Sequence, residues 1–227
     1  MGQIITIGGG GFAQADSQLL FERYLLRCLG SKQAVRVCFL PQASNENREY
    51  VSKFYETFTE LGARPSWLSL FAKVKVGWEK QLLASELIYV GGGNTKSMLA
   101  LWRAWGVDQV LKEALAKGTI LAGVSAGAIC WFEQGLTDSV WPLGVLPGLG
   151  WLAGSACPHY DGEVERRPAF VAMLAQGEIM PGIAIEDQVA VHYVDGVIKK
   201  VLCAVPGKKA YRVDHLGHHE LMAELLG

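Results

Sequence analysis

The sequence predicts an α/β fold: a three-layer sandwich with a mainly parallel central sheet flanked by helices, and an antiparallel extension in the C-terminal third. Three observations predict it. Short strand-like runs through the first two thirds are apolar throughout, as strands covered on both faces must be. Amphipathic segments separate them and supply the helical crossovers that parallel strands require. The last third changes to closely spaced strands, two of them joined by Asp195-Gly196, a dipeptide favoured in two-residue hairpins.

In chain order, residues 4–7 read as a buried strand running into Gly8-Gly9-Gly10-Gly11, followed by a helix over 17–29. A second strand over 35–40 stops at Pro41, and a helix over 46–61 has Gly62 as its stop. Residues 67–70 form a weaker third strand, and 87–90 a fourth that ends at Gly91-Gly92-Gly93. Helices follow over 95–105 and 108–117, the second closed by Gly118. A fifth strand, 119–124, leads into Ser125 and a helix starting near Ala126. Residues 183–185, 189–194 and 197–204 are strand-like and read as an antiparallel or mixed extension of the sheet. With no repeat, low-complexity tract or linker, 1–227 reads as one domain, a length that one α/β unit fills.

Composition narrows the function classes. Half of the residues are apolar and 19% are charged, which is ample for one core. The net charge is −1 and the basic residues are scattered, so neither nucleic acid nor an anionic membrane is an expected partner. Cys28, Cys38, Cys130, Cys157 and Cys203 stand singly, with no CxxC pair, which points to a reducing compartment. The start of the chain lacks a signal-peptide pattern, and no apolar run reaches the roughly 18 residues of a membrane span. A cytoplasmic protein is expected, and the seven tryptophans and high apolar fraction allow a homodimer.

The chemistry centres on Gly123-Val124-Ser125-Ala126-Gly127. A buried strand runs into a serine between small residues and then into a helix, the pattern of a nucleophile elbow. Such a turn lifts the serine oxygen above the sheet edge and aims free helix N–H groups at the charge formed on attack. Gly91-Gly92-Gly93-Asn94-Thr95 also follows a strand, where parallel sheets bind ligands. Its amides can donate to an oxyanion, and Asn94 or Thr95 can cap the next helix. His159, in Pro158-His159-Tyr160-Asp161, is a candidate base at the start of a polar loop. Glu186 and Asp138 are candidate acids to orient it. His192 lies in an alternating strand, and His215, His218 and His219 form a polar cluster without metal-ligand spacing, so no metal is expected. Gly8 to Ala13 loosely fits GxGxxA, but the second strand ends in Pro41-Gln42 without the ribose-binding acid, so no dinucleotide cofactor is expected either.

Together, the GGGNT turn at 91–95, the GxSAGA elbow at 123–128 and Pro158-His159-Tyr160 resemble the peptidase E family of serine peptidases. That family includes aspartyl dipeptidases and, more distantly, cyanophycinases. The resemblance runs in order over residues 4–204. It implies a fold similar to class I glutamine amidotransferases, with Ser125 as nucleophile, His159 as general base and acid, and the amides of Gly93 and Ala126 as oxyanion hole. For the third member it leaves Asp138 and Glu186, of which Glu186 is favoured because a strand end is the stiffer platform. Substrate contacts are expected from Asn94, Arg166 and Arg167. Family dipeptidases place an arginine after the histidine, and here Glu165 takes that position with Arg166 and Arg167 following. The expected substrate is a small peptide. Two other readings share parts of the pattern. An α/β-hydrolase esterase would need a late histidine such as His215. A catalytically silent domain would keep only the glycine cradle for a ligand.

Overall fold

The computed structural model describes residues 2–14, 18–30, 34–72 and 74–227. Its central sheet begins with β1 (Gln3–Ile7), β2 (Arg36–Leu40), β3 (Arg64–Trp67), β4 (Leu87–Val90) and β5 (Ile120–Val124), all parallel. Side chains alternate between two cores along each strand. On β4, Leu87 and Tyr89 face a cluster with Phe39, Phe54 and Phe58, while Ile88 and Val90 face one with Met98, Leu99 and Trp102. Helices α1 (Leu20–Cys28) and α2 (Arg48–Glu60) cover the first face. The second is covered by α3 (Glu79–Leu83), α4 (Thr95–Trp105), α5 (Val107–Ala116) and the short α6 (Ala126–Ile129). The expected start of the first helix at Ser17 lies outside the described residues. The third strand sits a little before the expected 67–70, because β3 is a sheet edge that tolerates Pro65.

The antiparallel extension is present. β10 (Val189–Val194) pairs with β1, and β11 (Val197–Cys203) pairs back on β10 through the Asp195-Gly196 turn, whose residues have φ 49° and 78°. A second sheet was not expected. It contains β6 (Phe132–Thr137), β7 (Gly144–Pro147), β8 (Leu152–Cys157), β9 (Gly182–Ile185), β12 (Ala210–Asp214) and β13 (Gly217–Leu221). Residues 183–185 therefore belong to this sheet and not to the extension. One face of the second sheet joins the core under α4 and α5. The other packs on α7 (Arg166–Ala175) through Phe170 and Leu174. The chain passes from the second sheet to the first over residues 186–188, which brings the carboxyl ends of β8 and β9 beside those of β1 and β5.

Candidate active site

Ser125 sits where β5 turns into α6, with φ 56° and ψ −111°. A side chain in this sparsely populated region costs about 1–3 kcal/mol and survives only where its surroundings enforce it. They do. A Cβ at Gly123 would lie 2.4 Å from Gly127 O, and one at Gly127 would lie 2.4 Å from Val90 O. Both flanking glycines are thus steric requirements of the turn. The Ser125 amide donates to Ile7 O at 3.1 Å, tying the elbow to the end of β1. A Cβ at Gly92 would be 3.2 Å from Ser125 Cβ, so the glycine turn after β4 lies directly against the serine. Gly93, with φ 131°, approaches Ala43 O so closely that a Cβ would come within 2.2 Å. Ala126 is the first residue of α6, where an amide has no intrahelical acceptor.

His159 follows β8 by two residues, also with positive φ (54°). Its Nδ1 lies 2.7 Å from Asp187 Oδ1, and both side chains are partly buried. A carboxylate only accepts, so Nδ1 donates to it and Nε2 keeps the lone pair of a base. The pair rests on Gly9, where a Cβ would be 2.0 Å from Asp187 Oδ1 and 2.7 Å from His159 Nδ1. Gly9 is two residues beyond Ile7, the residue that holds the Ser125 amide. Serine, histidine and aspartate therefore share one sheet edge. The N-terminal glycine run, in sequence only a loose match to a cofactor motif, provides the close backbone approach that this pair needs.

The carboxylate on the imidazole is Asp187, and neither Glu186 nor Asp138. Glu186 faces the other way: its carboxylate accepts the Lys209 amide at 2.8 Å and the Tyr211 hydroxyl at 3.0 Å. Adjacent residues in extended chain point to opposite sides, so only one of the two can meet the imidazole. Asp138 is 3.5 Å from the Arg166 guanidinium and is also not on the histidine. Asp187 is fixed in turn by Asp161, whose Oδ1 accepts the Asp187 amide at 2.8 Å while Oδ2 pairs with Lys208. Burial works against the Asp161 charge, but the bonds from Lys208 and that amide outweigh it and hold its carboxyl below the usual range. Burial drives the Cys130 thiol, at the end of α6, well above its ordinary value and the Cys157 thiol, at the end of β8, up to about 12.

The expected substrate contacts divide. Both ends of the Asn94 side chain are engaged in the fold: Oδ1 caps α4 by accepting Ser97 N at 2.8 Å, and Nδ2 donates to Ser139 O at 3.0 Å. Arg166 is fully buried and donates to Glu163 at 2.7 Å and to Leu136 O at 2.9 Å, so it is structural and does not face a ligand. Arg166→Met is expected to destabilise the fold by about 2–3 kcal/mol, because the Leu136 carbonyl loses its partner. Urea denaturation measures this; a raised KM at unchanged stability would contradict it. Arg167 is exposed, with its guanidinium 5.6 Å from the Tyr160 ring centroid, and it lines a cavity of about 630 Å³ with Tyr160, Asp161 and Val164. Of the late histidines, His218 bonds the Tyr160 hydroxyl at 2.5 Å and His219 faces Asp214 at 3.3 Å.

The pattern of peptidase family S51 matches residues 4–201. The uncharacterized peptidase YgaJ of Bacillus subtilis (strain 168) is 43% identical over 221 residues, covering 97% of this chain and 95% of that protein. Two solved structures share the fold. A peptidase from an acI-B1 Actinobacterium superposes with a TM-score of 0.70 at 18% identity, over 98% of this chain and 95% of its own. A candidate peptidase E protein from Listeria monocytogenes EGD-e gives 0.62 at 21% identity, over 94% and 100%. Among the described residues no helix is long and apolar enough to cross a membrane. A pattern match over most of the length, together with a relative of this identity, places the chain in peptidase family S51, as a serine-type hydrolase of peptide bonds.

Proposed function

We propose that the protein hydrolyses small peptides through an acyl-enzyme on Ser125, with His159 and Asp187 completing the triad. The observation that carries this reading is the His159–Asp187 pair, seated on Gly9 at the edge where the strained Ser125 turn is tied to β1. His159 Nε2 takes the Ser125 proton as Oγ adds to the peptide carbonyl. The amides of Gly93 and Ala126 receive the oxyanion; amides that are already aligned need no reorganisation as the charge develops. The imidazolium then gives its proton to the departing amine, which breaks the C–N bond. Water, deprotonated by the same nitrogen, releases the acyl group and returns the proton to Ser125. Of the two arginines after the histidine, Arg167 alone is exposed to pair with a substrate carboxylate, which supports acidic peptides as substrates.

A fluorophosphonate probe tests the nucleophile and a dipeptide library tests the substrate class. Stoichiometric labelling should map to Ser125, and Asp-Xaa or Glu-Xaa dipeptides should lead the library. Absence of labelling at Ser125 would sink the mechanism. A library hydrolysed without preference for acidic residues, and unchanged in Arg167→Ala, would remove Arg167 from substrate binding.

A further inference from the structure

The loop between β6 and β7 ends in a bare apolar tip. Val140 is 56% exposed and Trp141 72% exposed, although an indole of this size ordinarily buries most of its surface. The tip is not loosely attached. Ser139 N donates to Thr137 Oγ1 at 3.1 Å, and the two hydroxyls lie 2.8 Å apart. From the other side, Asn94 Nδ2 donates to Ser139 O at 3.0 Å and Lys96 N donates to Ser139 Oγ at 3.2 Å. Leu143, past the tip, packs into the core under α7.

These anchors place the tip at the catalytic edge by two independent routes. Asn94 directly follows Gly93, so the Ser139 contact fixes the loop beside the glycine turn that lies against Ser125. In addition, β6 and β8 are parallel neighbours, with Gly135 level with Ala156. β6 ends at Thr137 and β8 at Cys157, so Asp138 and Pro158 are the first residues past two adjacent parallel strands, which lie only about 4.8 Å apart. Trp141 is three residues beyond Asp138, a span of at most about 11 Å. The tip and the histidine thus leave neighbouring strands from the same end.

We propose that Val140 and Trp141 form an apolar subsite at the mouth of the active site that takes a leucine- or phenylalanine-like side chain flanking the scissile bond. This rests on the reading of Ser125 as nucleophile. A rigid aromatic on a pinned loop loses little conformational freedom on binding, so its exposed face is suited to recognition. A hydrophobic contact of this kind discriminates without acting on the chemistry, so it should appear in the ratio of kcat/KM between substrates and not in labelling of the serine.

The test uses peptides matched except at the two residues flanking the scissile bond, with glycine set against leucine or phenylalanine at each. Wild type should prefer the apolar residue at one of the two positions by about ten- to a hundred-fold. Trp141→Ala should erase most of that preference while glycine peptides and fluorophosphonate labelling stay at wild-type rates, and Trp141→Phe should restore it. An unchanged preference in Trp141→Ala would overturn the subsite, as would a uniform loss on every peptide. A shift in molecular mass on sizing with the preference intact would instead make the tip a contact between two copies, which also overturns it. Failure of wild type to label or to hydrolyse any peptide would be a failure of the Ser125 reading and would remove the subsite with it.

Discussion

Ser125→Ala is expected to lower kcat for peptide hydrolysis by about a million-fold, the loss typical of a triad nucleophile. The argument is geometric. The serine occupies a backbone conformation that a side chain adopts only under constraint, and neighbouring glycines are packed too tightly to be anything else. Evolution keeps such strain where the side chain must be presented in one direction. Alanine removes the oxygen and leaves the turn, so stability should change by no more than about 0.5 kcal/mol. Single-turnover assays on purified variant and wild type, with thermal melts alongside, measure both quantities. If a tenth of the wild-type rate survives in a sample free of wild type, the bond-forming atom is not Ser125 Oγ.

Much of the central sheet was legible because its signals are local. Residues 37–40 and 87–90 are apolar on both faces, the elbow glycines stand in one short segment, and the Asp195-Gly196 hairpin needs only two residues to be recognised. The second sheet was not. β6 reads Phe-Glu-Gln-Gly-Leu-Thr and β8 reads Leu-Ala-Gly-Ser-Ala-Cys, short mixtures with neither clean alternation nor an apolar run. Their pairing is decided by tertiary packing against α7 and the core below α5. The polar stretch after His159 hid α7, whose first turn holds the buried Arg166. In sequence Arg166 and Arg167 are equivalent candidates for a substrate contact, yet burial separates the two. The role of the N-terminal glycines was equally hidden, since their partners are some 150 and 180 residues away in sequence.

The acid of the proposed triad turns on a single step along the chain. Glu186 and Asp187 are neighbours, and both are carboxylates at the end of an apolar strand. Where the chain leaves β9 for β10, Asp187 bridges to Gly9 and the next residue, Gln188, donates its amide to Gly9 O at 2.8 Å. This turns Asp187 towards the imidazole and Glu186 towards Lys209 and Tyr211. Asp187→Asn is therefore expected to lower kcat by about ten-thousand-fold, because an amide does not demand the Nδ1–H tautomer that leaves Nε2 free as base. Glu186→Gln and Asp138→Asn keep the hydrogen-bonding shape of groups outside the triad and should stay within about ten-fold of wild type, since they leave transition-state contacts intact. Asp187→Glu should recover only part of the loss, because Gly162 lies so close to the carboxylate that a Cβ there would meet Asp187 Oδ2 at 2.1 Å. Steady-state kinetics on one good dipeptide ranks all four variants. A ranking in which Glu186→Gln is the crippled enzyme and Asp187→Asn the active one would mean that the histidine takes its partner from the other side of the strand crossing during turnover, and the triad would have to be rebuilt around Glu186.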